Sequence, residues 1–216
     1  MQRRDFTIRL GGAGLALATG LPAWAQGAPA EGRHYVKLSQ PAPVTLPSAG
    51  KKIEVVEFFW YECKHCNAFE PSLEAWVARL PADVVFRRVP VGFNARWQLS
   101  QRLFYALEEI GQLDALHARV FAAIHVQGQK LLSDSAVFKL VEGLGVDMKS
   151  FTDAYRGFSV NTKAARARQL SDAYKIDGVP AIGGHGRYYT SVTLTGSFQN
   201  TLAVTDHLVG IVRRGG

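Results

Sequence analysis

The sequence predicts an α/β protein in which a central mixed sheet, flanked by helices, is interrupted by an all-helical insertion. A strand, a helix and a second strand follow one another over residues 53–91. Apolar residues then recur at helical spacing alone over roughly 75 residues, up to about Tyr174. The strand pattern returns after Pro180, and one more helix closes the chain. This order predicts one sheet domain that is split by a helical insert.

Composition excludes several broad classes of protein. Of the 216 residues, 47% are apolar and 20% are charged, which is not typical of disordered, collagen-like or coiled-coil chains. Two cysteines are too few for a multi-bridge secreted scaffold or a Cys-rich zinc module. The net charge is +7, but the lysines and arginines are scattered, so we expect no nucleic-acid partner.

Residues 1–25 have the pattern of a signal peptide. Arg3 and Arg4 precede a weakly apolar stretch at Leu10–Leu21, and Ala23-Trp24-Ala25 supplies a small-x-small cleavage site. The stretch is glycine-rich and shorter than the ~20 residues that a membrane-spanning helix needs. The twin arginine favours twin-arginine export, whereas Thr7 departs from that signal and leaves Sec export open. We therefore expect a soluble mature protein in an oxidising compartment, where a cysteine pair can form a disulfide.

The remaining chain divides into an arm and two domains. Residues 26–50 are rich in Pro, Ala and Gly and predict an N-terminal arm, with one short extended segment at Tyr35–Leu38. Residues 51–96 and 175–216 are expected to form the sheet domain, and residues 97–174 the helical insertion domain.

The first half of the sheet domain predicts a buried strand, a helix and a second strand. The run at 53–60 is nearly continuous in β-branched and aromatic residues, as in strands buried on both faces. A helix is predicted from Cys63 to about Leu80, with Pro71 inside it, and a strand follows at Val84–Val91. This order implies a parallel strand pair joined by a right-handed crossover.

The later elements follow from apolar spacing and from glycine or serine at helix ends. Ser133 is expected to cap the third insert helix, and a glycine-rich turn at Gly184–Gly186 separates the last two strands. The predicted helices are 99–110, 113–124, 134–144, Lys149–Tyr155, Asn161–Tyr174 and one ending near Val212; the predicted strands are Ala181–Gly183 and Tyr188–Leu194.

The chemistry is concentrated in Cys63-Lys64-His65-Cys66, where the buried strand passes into a helix. Unpaired N–H groups at a helix N-terminus stabilise a thiolate, and the charges of Lys64 and His65 add to this effect. Cys66 lies one turn further along and is expected to face the interior. A structural disulfide is one alternative, although such a short ring contributes only about 2 kcal/mol. A metal site using both cysteines and His65 is another, although no fourth ligand is evident.

The segment from Glu57 to Glu70, EFFWYECKHCNAFE, resembles the active-site signature of the DsbA family, the periplasmic form of the thioredoxin fold. Gly178-Val179-Pro180-Ala181 resembles the second signature of that family. The resemblance extends over essentially the whole chain from about Tyr35. It implies a thioredoxin fold interrupted by the helical insertion.

The resemblance also implies roles for single residues. Cys63 corresponds to the nucleophilic sulfur that bonds to the substrate, and Cys66 to the resolving sulfur. His65 corresponds to the histidine that stabilises the reduced thiolate form, and Pro180 to a cis-proline that aligns the substrate backbone. Glu57 corresponds to a buried carboxylate that shuttles protons to Cys66; its alternative is a strand-edge residue facing water.

The substrate groove is expected to include Val179, Pro180, Tyr61 and Glu62. Lys64 departs from the family, which most often has Pro at this position. The loss of that ring is expected to loosen the helix start, whereas the ammonium adds a favourable charge for the thiolate. The remaining histidines are interpreted as surface or satisfied core residues: His34, His117, His125, His185 and His207.

The function implied is that of a monomeric periplasmic oxidoreductase that donates its Cys63–Cys66 disulfide to reduced, unfolded exported proteins. It needs no metal or organic cofactor, and a quinone-linked membrane oxidase of the DsbB type re-oxidises it. Three alternatives remain open. They are a disulfide reductase or isomerase, a redox-inactive peptide-binding chaperone, and a copper- or zinc-handling protein.

Overall fold

A computed structural model of the chain describes residues 27–46 and 52–215. The predicted signal peptide at 1–25 lies outside the described residues. Within them, no helix combines the length and apolar character that crossing a bilayer requires. The elements run in the order β1 Val36–Lys37, β2 Ile53–Phe59, α1 Lys64–Val77, β3 Val84–Pro90, α2 Ala95–Glu109, α3 Leu113–His125, α4 Asp134–Gly143, α5 Met148–Arg156, α6 Phe158–Ala173, β4 Ala181–Gly184, β5 Tyr188–Ser191, α7 Val192–Thr195 and α8 Phe198–Arg213.

The strands of the described residues form a five-stranded mixed sheet in the order β1-β5-β4-β2-β3. Strand β2 is central: it pairs parallel with β3 and antiparallel with β4, and all seven of its residues are buried. The expected parallel pair joined by a helix is therefore confirmed. Within this pair Glu57 lies opposite Arg88, which places a carboxylate and a guanidinium side by side in the sheet.

Side chains of β2 alternate between two apolar layers, as the period of a strand requires. Val56 and Phe58 pack in the cluster that contains the insert helices. Ile53 and Val55 pack against the helices on the other side, α1 and α8. Glu57 follows Val55 on the same face of the strand, which directs its carboxylate toward the layer that α1 occupies.

Helices α2 to α6 confirm the helical pattern of the insert, with bounds that differ by a few residues. Ser133 caps α4, as expected, by accepting a hydrogen bond from the Ala136 N–H. Helix α6 begins at Phe158 rather than Asn161. The Asn161 side chain donates to the carbonyl of Gly157 from within the first turn, so this residue does not cap the helix.

The predicted strand at Tyr188–Leu194 is wrong in its second half. Strand β5 ends at Ser191, whose hydroxyl accepts a hydrogen bond from the Leu194 N–H and starts the short helix α7. A serine in extended conformation is a strong helix N-cap, and this local capping ends the strand. In the described part of the arm, strand β1 covers Val36–Lys37 of the expected extended segment Tyr35–Leu38 and pairs with β5.

Candidate active site

A tight turn delivers Cys63 to the start of α1. The Cys63 N–H donates to the Trp60 carbonyl (3.0 Å), and Cys63 is the N-cap of the helix, which begins at Lys64. The first N–H groups of a helix lack intrahelical partners and carry the positive end of its dipole. Both cysteines are free thiols in the structure: Cys63 is partly exposed, whereas Cys66 is fully buried.

The surroundings of Cys63 favour its thiolate. The pKa of Cys63 is lowered to about 6, first by a hydrogen bond from the Cys66 side chain. Burial opposes this shift, but hydrogen bonds from the backbone N–H groups of Cys66 and His65, together with the charge of His65, lower the pKa further. The expected effect of the helix N-terminus is therefore present, while the contribution of Lys64 stays a prediction.

The surroundings of Cys66 have the opposite effect. Burial raises the pKa of Cys66 well above its ordinary value, and the neighbouring Cys63 and Glu57 raise it again. At neutral pH the thiolate therefore resides on Cys63, and Cys66 holds the proton that stabilises it. The expectation that Cys66 faces the interior is confirmed.

A groove lies on the exposed side of the cysteine pair. The Val179–Pro180 peptide bond is cis, and the Val179 carbonyl lies 3.5 Å from the Cys63 sulfur. A cavity of about 390 Å³ adjoins this loop and includes His65 and Pro180 in its lining. The side chain of His65 is exposed and faces this groove. The further lining residues are Ile176, Asp177, Gly178, Val179, Ala181, Tyr189, Ser191, Val192, Thr193 and Leu194.

Glu57 is fully buried, which excludes the alternative of a strand-edge residue facing water. Its carboxylate lies 3.2 Å from Nε of Arg88, and Nη2 of Arg88 also contacts Glu70 (3.0 Å) and Glu74. Burial raises the pKa of Glu57 well above its ordinary value; the charge of Glu70 adds to this and Arg88 opposes it. A buried carboxyl with a raised pKa, whose charge in turn raises the pKa of Cys66, has the properties of a proton donor and acceptor.

The expectation that the Tyr61 side chain lines the groove is wrong. Tyr61 is fully buried, and its hydroxyl lies 2.8 Å from Nδ1 of His117. The residue packs inward because Phe59, Phe104 and Phe121 surround its ring. Its neighbour Glu62 lies beside Cys63 and pairs with Arg96 (2.9 Å), so a role for Glu62 at the groove stays a prediction.

Two histidines that sequence reasoning had not connected with the site meet at Tyr61. His117 contacts the Tyr61 hydroxyl, and Nε2 of His125 lies 2.8 Å from the Tyr61 carbonyl oxygen. The two histidines are eight residues apart on α3, which puts them on one face of that helix. This eight-residue spacing is the sequence signal that indicates the two histidines share a face of the helix. Residues 27–46 and 52–215 contain no cluster of three or more potential metal ligands.

Comparisons with known proteins agree with this geometry. The model of the family "DSBA-like thioredoxin domain" matches residues 54–199. The thiol:disulfide interchange protein DsbA of Azotobacter vinelandii is 42% identical over 178 residues, 82% of each chain. DsbA of Bordetella parapertussis is 40% identical over 211 residues, 97% of this chain and 98% of that protein.

Solved structures are similar over most of the chain as well. The crystal structure of Pseudomonas aeruginosa DsbA superposes with a TM-score of 0.80 at 38% identity, over 85% of this chain and 94% of that one. Xylella fastidiosa DsbA superposes with a TM-score of 0.79 at 33% identity, over 86% of this chain and 98% of that one. The expected thioredoxin fold with a helical insertion is thus confirmed. The chain belongs to the DsbA family of thioredoxin-like domains and is a thiol:disulfide oxidoreductase.

Proposed function

We propose that this protein donates its Cys63–Cys66 disulfide to newly exported proteins. The observation that carries the proposal is the different placement of the two cysteines within one helical turn. Cys63 is partly exposed at the helix N-terminus, where its pKa is lowered, whereas Cys66 is fully buried and its pKa is raised. A low pKa on the exposed sulfur stabilises the reduced form as a thiolate. A stabilised reduced form makes the corresponding disulfide a strong oxidant.

The first step is an attack by a substrate thiolate on the sulfur of Cys63. Cys63 is the accessible member of the pair, whereas Cys66 is fully buried, so attack on Cys66 is blocked. The Cys63–Cys66 bond breaks, a mixed disulfide forms between the substrate and Cys63, and Cys66 leaves with the electron pair. The raised pKa of Cys66 then favours proton uptake, and Glu57 is the buried carboxyl that we assign to supply this proton.

The second step releases the product. A second substrate thiolate attacks the substrate sulfur of the mixed disulfide and expels Cys63. Cys63 leaves readily because its pKa of about 6 lets it depart as a stable thiolate. The substrate loses two electrons and gains a disulfide, while the protein gains a Cys63 thiolate and a Cys66 thiol.

Groove residues orient the substrate for these steps. The Val179 carbonyl lies beside the Cys63 sulfur, and with Pro180 we assign it to align an extended substrate backbone. His65 lines the cavity, and its charge lowers the pKa of Cys63. We assign Glu62, the residue next to the nucleophile, to the edge of the same groove.

The reduced protein needs an external oxidant before it can act again. We assign this role to a quinone-linked membrane oxidase of the DsbB type, which accepts the two electrons. The cysteine pair itself is the redox centre, so no metal or organic cofactor is needed. The signal-peptide pattern at 1–25 favours action in the periplasm. We propose that the protein acts there as a monomer.

The test is the reduction potential of Cys63–Cys66 against glutathione buffers, with the Cys63 pKa taken from thiolate absorbance. We expect a Cys63 pKa of about 6, below that of an ordinary thiol, and a potential more oxidising than about −270 mV, the value of thioredoxin. A potential of about −270 mV with an ordinary thiol pKa would contradict the oxidase and favour a reductase. Oxidation of a reduced, unfolded model protein by the disulfide form checks the same proposal by turnover.

A further inference from the structure

The turn before Cys63 contacts the helical insert at three successive residues, Trp60, Tyr61 and Glu62. The ring of Trp60 stacks on that of Trp97, with 3.9 Å between centroids and 5° between planes. The carboxylate of Glu62 pairs with Arg96 at 2.9 Å, and that guanidinium also lies over the Trp60 ring. These contacts join the turn to the first residues of α2, more than thirty positions along the chain.

Between them, Tyr61 is held twice. Its hydroxyl contacts Nδ1 of His117, and its carbonyl oxygen lies 2.8 Å from Nε2 of His125. The turn itself uses the Trp60 carbonyl to bind the Cys63 N–H, so the Tyr61 carbonyl is free for this outside partner. A carbonyl only accepts hydrogen bonds, so His125 donates from Nε2.

The position of this turn bears on the chemistry of Cys63. The thiolate is stabilised by backbone N–H groups of His65 and Cys66, and such hydrogen bonds depend steeply on distance and angle. Those donors are fixed in α1, whereas the Cys63 sulfur is placed by the turn before it. A shift of the turn therefore moves the sulfur relative to its stabilising donors.

We propose that Arg96, Trp97, His117 and His125, which we call the insert clamp, are positioning residues for the thiol–disulfide reaction. None of the four lines the cavity beside the Val179–Pro180 loop. They act by holding residues Trp60–Cys63 so that the Cys63 sulfur meets the helix N-terminus. The inference rests on the proposed function, and it assigns to the insert a part in setting the reactivity of the nucleophile.

The main test compares His125→Leu with His125→Gln. Leucine removes the donor to the Tyr61 carbonyl, and we expect the Cys63 pKa to rise by about half a unit to one unit. The rate of Cys63 alkylation at pH 6 should fall about twofold to fivefold, in proportion to the thiolate fraction. Glutamine carries an N–H donor on a side chain of similar reach and should restore most of both values. His207→Leu is the matched control, because His207 packs against Tyr35, away from the turn.

Arg96→Ala is the second variant, since it removes the pairing partner of Glu62 and the Arg96 side chain is half exposed. Like His125→Leu, this variant should raise the Cys63 pKa. The inference is overturned if the folded variants keep the wild-type Cys63 pKa and reduction potential and lose only thermal stability. It is also overturned if His125→Gln behaves like His125→Leu. Failure of the proposed function is distinct, because wild type itself would then lack the low pKa and the oxidising potential.

Discussion

Two sides of a single helical turn contrast in this protein. On the groove side, Cys63 is partly exposed, adjoins the Val179 carbonyl and has a pKa lowered to about 6. On the buried side, Cys66 has no exposed surface, lies near Glu57 and has a raised pKa. Three positions in sequence thus separate a good leaving group from a sulfur that holds its proton.

The contrast shows that the motif gains its chemistry from where the helix starts, and not from its cysteines alone. Because α1 begins directly after Cys63, that sulfur receives the free N–H groups. Because one helical turn carries Cys66 inward, the second sulfur receives desolvation and a carboxylate instead. The order of bond breaking in each exchange follows from this asymmetry.

The largest expected effect comes from replacing each of the two cysteines in turn, which tests the difference between them directly. In Cys66→Ser, Cys63 should react with iodoacetamide at pH 7, whereas in Cys63→Ser the buried Cys66 should react more slowly by on the order of 100-fold. Both variants should lose substrate oxidation, since neither can form the disulfide. Mass spectrometry of timed samples measures both rates. Equal rates in the two folded variants would contradict the division of roles.

A second change tests the buried side. Arg88→Met removes the guanidinium that faces Glu57, Glu70 and Glu74, and should lower the free energy of unfolding by about 1–3 kcal/mol. The reason is that Glu70 is mostly buried and, since His117 and Arg88 lower its pKa against the effect of burial, it would keep its charge with one cation fewer. Glu57 adds less, because its raised pKa lets it hold a proton. Urea unfolding at pH 7 measures the loss.

Arg213→Met is its matched control. Arg213 pairs with Asp83 at an exposed position, and its loss should leave the unfolding midpoint close to wild type. An Arg88→Met protein as stable as this control would show that Arg88 does not compensate buried charge.

A third test measures how the stability of the reduced protein depends on pH, which reports on the lowered pKa of Cys63. The folded pKa of Cys63, about 6, lies below its unfolded value of about 8.5, so its thiolate stabilises the reduced protein at high pH. That stabilisation is lost as pH falls through 6. Between pH 8 and pH 5, the stability of the reduced form relative to the oxidised form should drop by about 1–2 kcal/mol, after discounting for solvent screening at this partly exposed sulfur.

The comparison of reduced and oxidised forms is informative because their other titrating groups are shared and largely cancel. Staying at or below pH 8 keeps the contribution of Cys66 small, because its thiol is protonated in the folded chain and mostly protonated in the unfolded chain at those pH values. Urea unfolding of both forms at each pH gives the difference. A difference that does not change with pH would show that folding leaves the Cys63 pKa at its ordinary value.

Local signals explain what the sequence predicted well. The apolar run of β2, the cysteines at its end and the Ser133 cap each lie within a few residues of the structure they determine. The spacing of the residues alone therefore predicts that a helix starts at the Cys63–Cys66 motif and that Cys66 faces inward. The cis bond before Pro180 was expected from the resemblance and is present.

Contacts between distant segments explain what was missed. The burial of Tyr61 depends on His117 and Phe121 of α3, about 60 positions away, so no local pattern distinguishes it from a groove residue. The bond from His125 to the Tyr61 carbonyl likewise exists only once the insert has docked. Both omissions concern the join between the insert and the active-site turn.

The smallest expected effect concerns Lys64→Pro, which alters only the groove side of the contrast. Lys64 is the first residue of α1, where proline loses no hydrogen bond and its fixed φ suits the helix. Cys63 before it is already extended (φ −79°, ψ 114°), as a residue preceding proline must be. Stability should therefore rise by about 0.4–1 kcal/mol.

Lys64→Ala separates the effect of the ring from that of the charge. Because Cys66, backbone N–H groups and His65 already account for a low Cys63 pKa, both Lys64 variants should keep that pKa within about half a unit of wild type. Thiolate absorbance against pH measures it. A rise of a full unit in both variants would instead show that the ammonium is a main partner of the thiolate. The low pKa of Cys63 would then depend on the charge of Lys64 as well as on the helix N-terminus.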